Sequence, residues 1–301
     1  MYEFLLLITI FSGQLAPNSH VLSQLTKNLL TKSQAATTQT AEKLPTALIA
    51  APIRLASDDY SANAAAVYSI DLVSDKVLTS KNTDSRLQVA SLTKLMTAYV
   101  ILKEEPNLDR VVTVPALTEQ TDDAVMGLTT GDQVTIKTLL DGLLINSGAD
   151  AAQTLAIENA GSIENFVTKM NTAAENLNLT NTHFANPIGL DDPNNYSSAK
   201  DLTELVRILL RNQTFAKIVA TKTMTATTTT GRTIPLATTN QLLYSSGYIG
   251  VKTGFTGGAN ECLISLYKDG NNEILTTVLG SSNRFLETDS IKGWILSHFS
   301  W

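Results

Sequence analysis

The order of strand-like and helix-like segments is the sequence feature that most limits how this chain can fold. Apolar runs with strand character occur over residues 65–80 and again over residues 248–279. The other patterned segments are helices at 91–104, 136–145, 149–159, 163–177, 199–211 and 286–298, and a polar hairpin at 221–236. The chain has 301 residues, 43% of them hydrophobic, which is enough for a sizeable core. We therefore expect an α+β domain whose first and last strands pair across the sequence.

The first 60 residues differ in composition from the rest. Residues 4–11 form a mostly apolar run, long enough for the core of a signal peptide and too short to span a membrane. The basic residues that usually precede such a run are missing. The following tract is rich in Ala, Thr, Ser, Gln and Leu without a sustained period, as is typical of a linker. We expect a signal or membrane-anchor segment over residues 1–12, a linker over 13–60 and a folded domain over 61–301.

Charge and residue counts exclude several classes of function. The formal net charge is −6 and no dense run of Lys or Arg occurs, so nucleic acid is not an expected partner. The single cysteine, Cys262, lies in an apolar run, which favours a small buried side chain over a nucleophile or ligand. The three histidines, His20, His183 and His298, are far apart and no G-x-S-x-G motif accompanies them. We therefore expect neither a metal or other cofactor nor a Ser-His-Asp hydrolase.

A serine and a lysine lie at the start of the first predicted helix, in the stretch QVASLTKLMTAYV over residues 88–100. On a helix, Ser91 and Lys94 are about 60° apart beside one apolar stripe, so their side chains can touch. A serine hydroxyl needs a base, and lysine can serve only if burial or neighbouring cations hold it neutral for part of the time. The helix N-terminus also supplies N–H groups suited to an oxyanion. Ser91 and Lys94 are therefore a candidate nucleophile and base.

Chance and helix capping compete with this interpretation. An S-x-x-K match is expected about once in a chain of this composition, and a serine that opens a helix is usually its cap. Two other matches occur. Residues 197–200 overlap Ser198 and Asp201, which fit a capping box better, while residues 265–268 lie on a strand candidate, where positions three apart face opposite sides.

Two further short motifs accompany the S-x-x-K stretch. Lys252, Thr253 and Gly254 follow an apolar run that predicts a strand ending at the motif. A lysine and a threonine there can hold a carboxylate, and glycine allows close backbone approach. Ser147 lies between two predicted helices, where a capping serine is the simpler interpretation if the motif is taken alone.

Taken together, these motifs resemble those of a known family. The segments SLTK at 91–94, SGA at 147–149 and KTG at 252–254, in this order and spacing, resemble the motifs of the penicillin-recognising serine peptidases. Longer blocks, such as HFANPIGLDD and GVKTGFTGGANECLISL, are similar to the low-molecular-mass D-alanyl-D-alanine carboxypeptidases. The resemblance runs from about residue 64 to the C-terminus. It implies a β-lactamase/DD-peptidase-like fold, a mainly antiparallel sheet flanked by helices, with a helical subdomain and the active site in the groove between them.

The resemblance also implies an activity and catalytic residues. A serine-type D-Ala-D-Ala carboxypeptidase removes the terminal D-alanine from peptidoglycan stem peptides through an acyl-enzyme, here on Ser91. Lys94 would act as the base and Ser147 would relay a proton to the leaving D-alanine. β-Lactams would be covalent inhibitors. The substrate implies an extracytoplasmic protein, secreted or tethered to the cell membrane by its N-terminal segment.

Substrate-binding residues are carried over in the same way. Lys252 and Thr253 would hold the terminal carboxylate, and Gly254 would let the backbone approach it. The backbone N–H of Phe255, with that of Ser91, would form the oxyanion hole. Arg284 matches an arginine near that carboxylate in relatives, although a surface salt bridge is an equally good interpretation of this residue.

One position departs from the family pattern. Ala149 stands where the second motif usually has an asparagine, so a contact to the substrate and the lysine network is lost or is supplied by Asn146 or Asp150. A catalytically weak, penicillin-binding protein that holds peptidoglycan is therefore an alternative. A β-lactamase-like hydrolase of the same fold would need a deacylating glutamate in an E-x-x-L-N segment. Residues 175–178 are one residue short of that pattern.

Overall fold

The structure is a computed structural model that describes residues 51–117, 124–270 and 272–301. Its strands are β1 Ile53–Arg54, β2 Ala66–Asp71, β3 Val77–Lys81, β4 Val111–Thr113, β5 Gln133–Thr135, β6 Thr223–Thr227, β7 Thr233–Ala237, β8 Tyr248–Thr256, β9 Asn260–Asp269, β10 Asn272–Ser281 and β11 Phe299–Ser300. Its α-helices are α1 Lys94–Glu104, α2 Ile136–Ile145, α3 Ala149–Ala160, α4 Ile163–Asn176, α5 Ala199–Leu209, α6 Gln213–Val219 and α7 Arg284–His298.

A five-stranded antiparallel sheet with the order β3-β2-β10-β9-β8 organises the domain. Strand β2 pairs with β10, for example Val67 with Val278. This confirms the predicted pairing between the strand runs at residues 65–80 and 248–279, the first and last strands that the sequence predicts. Alternate residues of β10 enter different hydrophobic clusters, Leu275 in one and Ile274 in the other. Because side chains alternate across a strand, both faces of the sheet are covered, which confirms the predicted α+β fold.

Helix α1 lies in the centre of the larger hydrophobic cluster. Its residues Leu95 and Met96 have no exposed surface, and the helix contacts α2, α3, α4 and α5. Burial of one such side chain is worth about 1.5–3 kcal/mol. On the opposite face of the sheet, α7 packs against β9 and β10. The helical block is therefore built around α1, the helix that carries Lys94.

Several predicted helix starts are confirmed by side-chain caps. Thr135, Ser162 and Ser198 each accept a hydrogen bond from the backbone N–H three residues on, as expected for N-cap residues. The first predicted helix differs in detail. A 3₁₀ turn occupies Ala90–Thr93 and the α-helix begins at Lys94. The β4–β5 pair and α6 were not predicted because their patterns are short.

Part of the predicted linker is folded. Ile53 pairs with Ser300 and Arg54 with Phe299, so the folded region begins before residue 61. Residues 1–12 and the linker up to residue 50 lie outside the described residues, and their assignments stay predictions. Among the described residues, no helix is long and apolar enough to cross a membrane.

Candidate active site

Ser91 and Lys94 form a buried pair at the start of α1. Lys94 Nζ lies 2.8 Å from Ser91 Oγ, which is a hydrogen-bonding distance. Ser91 is 6% exposed and Lys94 is fully buried. The 3₁₀ turn that holds Ser91 begins at Ala90, whose φ of +49° kinks the backbone. The predicted contact between the two side chains is therefore present, on a tight turn that leads into the helix.

A loop over residues 186–191 holds this pair from the opposite side. The Ile188 carbonyl accepts a hydrogen bond from Lys94 Nζ at 2.8 Å. The Pro187 carbonyl accepts one from Thr97 Oγ1 at 2.7 Å, one turn further along α1. Gly189 has a φ of +92°, and a Cβ there would lie 2.0 Å from the Ala90 carbonyl oxygen. The loop can therefore approach the turn that carries Ser91 only because this residue is glycine.

Ser147 and Lys252 form a second buried pair. Ser147 lies between α2 and α3 with a φ of +66°, an uncommon backbone conformation for a residue with a side chain. Lys252 Nζ donates hydrogen bonds to Ser147 Oγ at 2.8 Å and to the Thr253 carbonyl at 2.9 Å. Ser147 is 4% exposed and Lys252 is 1% exposed. The second and third motifs, which are distant in sequence, therefore meet in the structure.

Strand β8 brings the third motif against the turn that carries Ser91. The strand continues to Thr256, so the prediction that it ends at the motif was wrong. A Cβ on Gly254 would lie 2.9 Å from the Val89 carbonyl oxygen and 3.2 Å from Ser91 N. Thr253 Oγ1 lies 2.5 Å from Thr239 Oγ1. The glycine of K-T-G is thus required by the close packing of β8 on the turn that carries Ser91.

The two remaining candidates lie near the end of β8. The side chain of Phe255 is largely exposed. Arg284 Nη1 donates to the Gly254 carbonyl at 2.8 Å, and the guanidinium lies 4.9 Å from the ring centroid of Phe285. Burial lowers the pKa of Arg284, partly offset by the nearby Glu261 carboxylate. The contact to Gly254 places Arg284 beside the third motif, which favours the family-based interpretation over a surface ion pair.

The two residues suggested as substitutes for the missing amide at position 149 both bind a neighbouring loop. The Asp150 carboxylate accepts backbone N–H groups from three successive residues of that loop, at 2.7–2.8 Å: Met126, Gly127 and Leu128. Asn146 Nδ2 donates to the Val125 carbonyl at 2.9 Å. Ala149 itself is fully buried. The anchoring of this loop beside Ser147 is a role that the sequence did not reveal, because the partners are backbone groups more than 20 residues away.

Other candidate chemistries lack structural support. Glu175, the glutamate of the incomplete E-x-x-L-N pattern, is exposed near the end of α4, whereas the serine and lysine pairs are buried. Cys262 is fully buried, which confirms the predicted burial, and this burial raises the pKa of its thiol to about 11, which disfavours the reactive thiolate. Within residues 51–117, 124–270 and 272–301, no group of three or more His, Cys, Asp or Glu side chains could hold a metal ion.

The fold and the two serine–lysine pairs define a serine peptidase-like site, and comparisons with known proteins agree. The family model described as D-alanyl-D-alanine carboxypeptidase matches residues 53–283. A D-alanyl-D-alanine carboxypeptidase of Streptomyces sp. (strain K15) is 38% identical over 237 residues, covering 72% of this chain and 80% of that protein. The D-alanyl-D-alanine carboxypeptidase DacF of Bacillus subtilis (strain 168) is 37% identical over 213 residues, covering 69% of this chain and 54% of that protein.

A solved structure shows the same fold. The crystal structure of the Streptomyces K15 DD-transpeptidase has a TM-score of 0.75 and 34% sequence identity, and the match covers 80% of this chain and 100% of that chain. The chain therefore belongs to the D-alanyl-D-alanine carboxypeptidase family. The match spans about half of the B. subtilis relative and four-fifths of the Streptomyces one.

Proposed function

We propose that this protein is a serine-type D-Ala-D-Ala carboxypeptidase that removes the terminal D-alanine from peptidoglycan stem peptides. The observation that carries the proposal is the pair of buried serine–lysine hydrogen bonds, each 2.8 Å long, with the K-T-G strand packed on the nucleophile turn. Family membership supports the reaction type. Peptidoglycan stem peptides and β-lactams are the expected ligands, and the chemistry needs no cofactor.

Acylation begins at Ser91. Lys94 Nζ, 2.8 Å from Ser91 Oγ, accepts the hydroxyl proton as the oxygen attacks the carbonyl carbon between the two D-alanines. The Oγ–C bond forms, and the C–N bond to the terminal D-alanine breaks. Ser147, which accepts a hydrogen bond from Lys252, relays a proton to the leaving amine. A water then attacks the ester and regenerates Ser91.

Charge stabilisation comes from backbone and cationic groups. The N–H groups of Ser91 and Phe255 form the oxyanion hole. The position of Phe255 supports this role, because it lies on β8, the edge strand of the five-stranded sheet, which has a neighbouring strand on one side only. Lys252 and Thr253 hold the substrate carboxylate. Arg284 adds positive charge beside this carboxylate site, where its hydrogen bond to the Gly254 carbonyl holds it.

The substrate sets the location of the protein. Because peptidoglycan stem peptides lie outside the cytoplasm, we place the folded domain there, facing the cell wall. The N-terminal segment over residues 1–12 would direct export and could serve as a membrane tether. A reporter fused to residues 1–60 is expected to be exported, and retention in the cytoplasm would contradict this assignment.

Release of D-alanine tests the activity directly. The purified protein is incubated with a stem-peptide mimic that ends in D-Ala-D-Ala, and free D-alanine is measured over time. Wild-type protein is expected to release it, and Ser91→Ala to release none. Labelling by a fluorescent penicillin at Ser91 without release above the variant would contradict a carboxypeptidase.

The alternatives give different products in the same assay. A catalytically weak penicillin-binding protein, the reading motivated by Ala149, would be labelled and would turn over neither peptide nor penicillin. A transpeptidase, the name carried by the Streptomyces structure, would transfer the acyl group to an added amine. A β-lactamase-like enzyme would hydrolyse the penicillin and leave the peptide intact.

A further inference from the structure

Asn186 binds the backbone of the loop that contacts Lys94. Its Oδ1 accepts N–H groups from three successive residues, Ile188 at 3.2 Å, Gly189 at 2.7 Å and Leu190 at 3.1 Å. Its Nδ2 donates to the Leu190 carbonyl at 3.2 Å. One partly buried side chain therefore folds residues 186–190 into a tight turn.

This turn has two carbonyls directed at α1. The Ile188 carbonyl accepts from Lys94 Nζ at 2.8 Å, and the Pro187 carbonyl accepts from Thr97 Oγ1 at 2.7 Å. The Pro187 carbonyl shares a peptide group with the Ile188 N–H, and the Ile188 carbonyl shares one with the Gly189 N–H, and Asn186 binds both of these N–H groups. The position of the Ile188 carbonyl oxygen therefore depends on the conformation that Asn186 maintains.

The orientation of Lys94 matters for its chemistry. A neutral lysine amine has one lone pair and two N–H groups, so its lone pair points at Ser91 only if its N–H groups find acceptors elsewhere. The Ile188 carbonyl is such an acceptor.

We propose that Asn186 is a positioning residue for the catalytic base: it holds the Ile188 carbonyl against Lys94 Nζ and so directs the amine at Ser91. The proposal rests on the proposed function only in that Lys94 activates Ser91. Misplacement of a reacting group by about 1 Å can cost roughly 10²-fold in rate. Loss of the Asn186 side chain is therefore expected to slow acylation of Ser91 by about 10- to 100-fold.

The test measures the rate constant of Ser91 acylation by a fluorescent penicillin, per active site counted at saturation. Asn186→Ala is expected to be slow, whereas Asn186→Asp keeps the acceptor oxygen for the three N–H groups and is expected to restore most of the rate. Asn186→Gln retains the amide but moves it by one methylene, so it is expected to be slow and replaces the alanine variant if that variant does not fold.

Asn171 offers a matched control for a purely structural effect. Its side chain also binds loop backbone, donating to the Phe184 carbonyl at 2.9 Å and accepting from the Phe184 N–H at 2.8 Å, but it does not hold the turn at Ile188. Asn171→Ala is expected to lower the melting temperature and to keep the acylation rate per active site. An equal slowing by Asn171→Ala and Asn186→Ala would overturn the proposal, as would an aspartate variant as slow as the alanine variant.

Crystal structures of the variants separate this proposal from the proposed function. In Asn186→Ala, the Ile188 oxygen is expected beyond hydrogen-bonding distance of Lys94 Nζ, and in Asn186→Asp at its wild-type position. An unchanged contact in the alanine variant would refute the positioning role whatever the activity. Normal acylation behaviour without D-alanine release would refute the carboxypeptidase activity and leave the role of Asn186 intact.

Discussion

The two serine–lysine pairs of the site have the same hydrogen-bond length and opposite origins. Lys94 lies three residues after Ser91, and the turn into α1 brings the two side chains together. Lys252 lies 105 residues after Ser147, and their contact requires the helical block and β8 to pack correctly. The first pair is a local contact, whereas the second forms only when the tertiary structure is in place. The two pairs should therefore respond differently to mutation.

The first prediction compares the two lysines and has the largest effect. Lys94→Met removes the base and is expected to slow acylation of Ser91 by about 10²- to 10⁴-fold, the range of general base catalysis. Lys252→Met is expected to slow acylation less and to weaken binding of the peptide carboxylate, which raises KM. Lys200, which ends a rejected S-x-x-K match and is exposed, gives the control Lys200→Met. Stopped-flow acylation and steady-state kinetics check this, and equal kcat and KM effects for the two lysines would contradict it.

A second experiment asks whether Ser147 and Lys252 act as one unit. Ser147→Ala and Lys252→Met are each expected to slow acylation by about 10²-fold, the lower end of the range for general acid–base catalysis. Because the two side chains share a hydrogen bond, the double variant should be little slower than the slower single variant. Additive losses in the double-mutant cycle would show that the pair is not coupled.

The third prediction concerns the loop that lies beside Ser147. Asp150 is 5% exposed and binds three successive backbone N–H groups. Asp150→Ala leaves these groups without their acceptor and is expected to lower the free energy of unfolding by about 3 kcal/mol. Asp150→Asn keeps one acceptor oxygen and should lose less. Denaturant unfolding measures both, and an alanine variant as stable as wild type would show that the loop is held by other contacts.

The smallest effect is expected at Cys262, which pairs with Gly254 in the sheet behind the site. Cys262→Ala should leave both acylation and D-alanine release close to wild type. Burial raises the thiol pKa from 9.0 to about 11, so between these pH values the folded protein binds the proton that the unfolded chain releases. Stability therefore falls as pH rises through this window. The alanine variant has no thiol and should therefore lack this fall in stability. An identical pH dependence of the melting temperature in both proteins would contradict a raised thiol pKa at Cys262.

How far the sequence predicted the molecule depends on the range of the contacts. The helix starts at residues 136, 163 and 199 were predictable because a capping side chain lies beside each one. The contact between Ser91 and Lys94 was predictable because the two residues lie three positions apart at the start of a helix. Strand β8 was placed correctly but ended too early, because pairing with β9 extends it through Thr256.

Contacts over long separations were beyond the sequence. The loop anchors Asp150 and Asn186 bind backbone N–H groups, and backbone groups carry no residue-specific signal. Pairing of β1 with β11 joins residues that are more than 240 positions apart, which is why part of the predicted linker proved to be folded. Short elements of this kind form only when the rest of the domain is in place.

The sequence by itself determined the α+β order of elements, the candidate nucleophile and candidate base, and the resemblance to the family, since these depend on local periodicity and on motif order. Only the tertiary structure decided that Ser147 meets Lys252, that Gly189 and Gly254 close on the Ser91 turn, and that the Ile188 carbonyl meets Lys94. The physical reason is that each of these contacts is set by the packing of two separate segments. The sequence of one segment does not determine how the other segment packs against it.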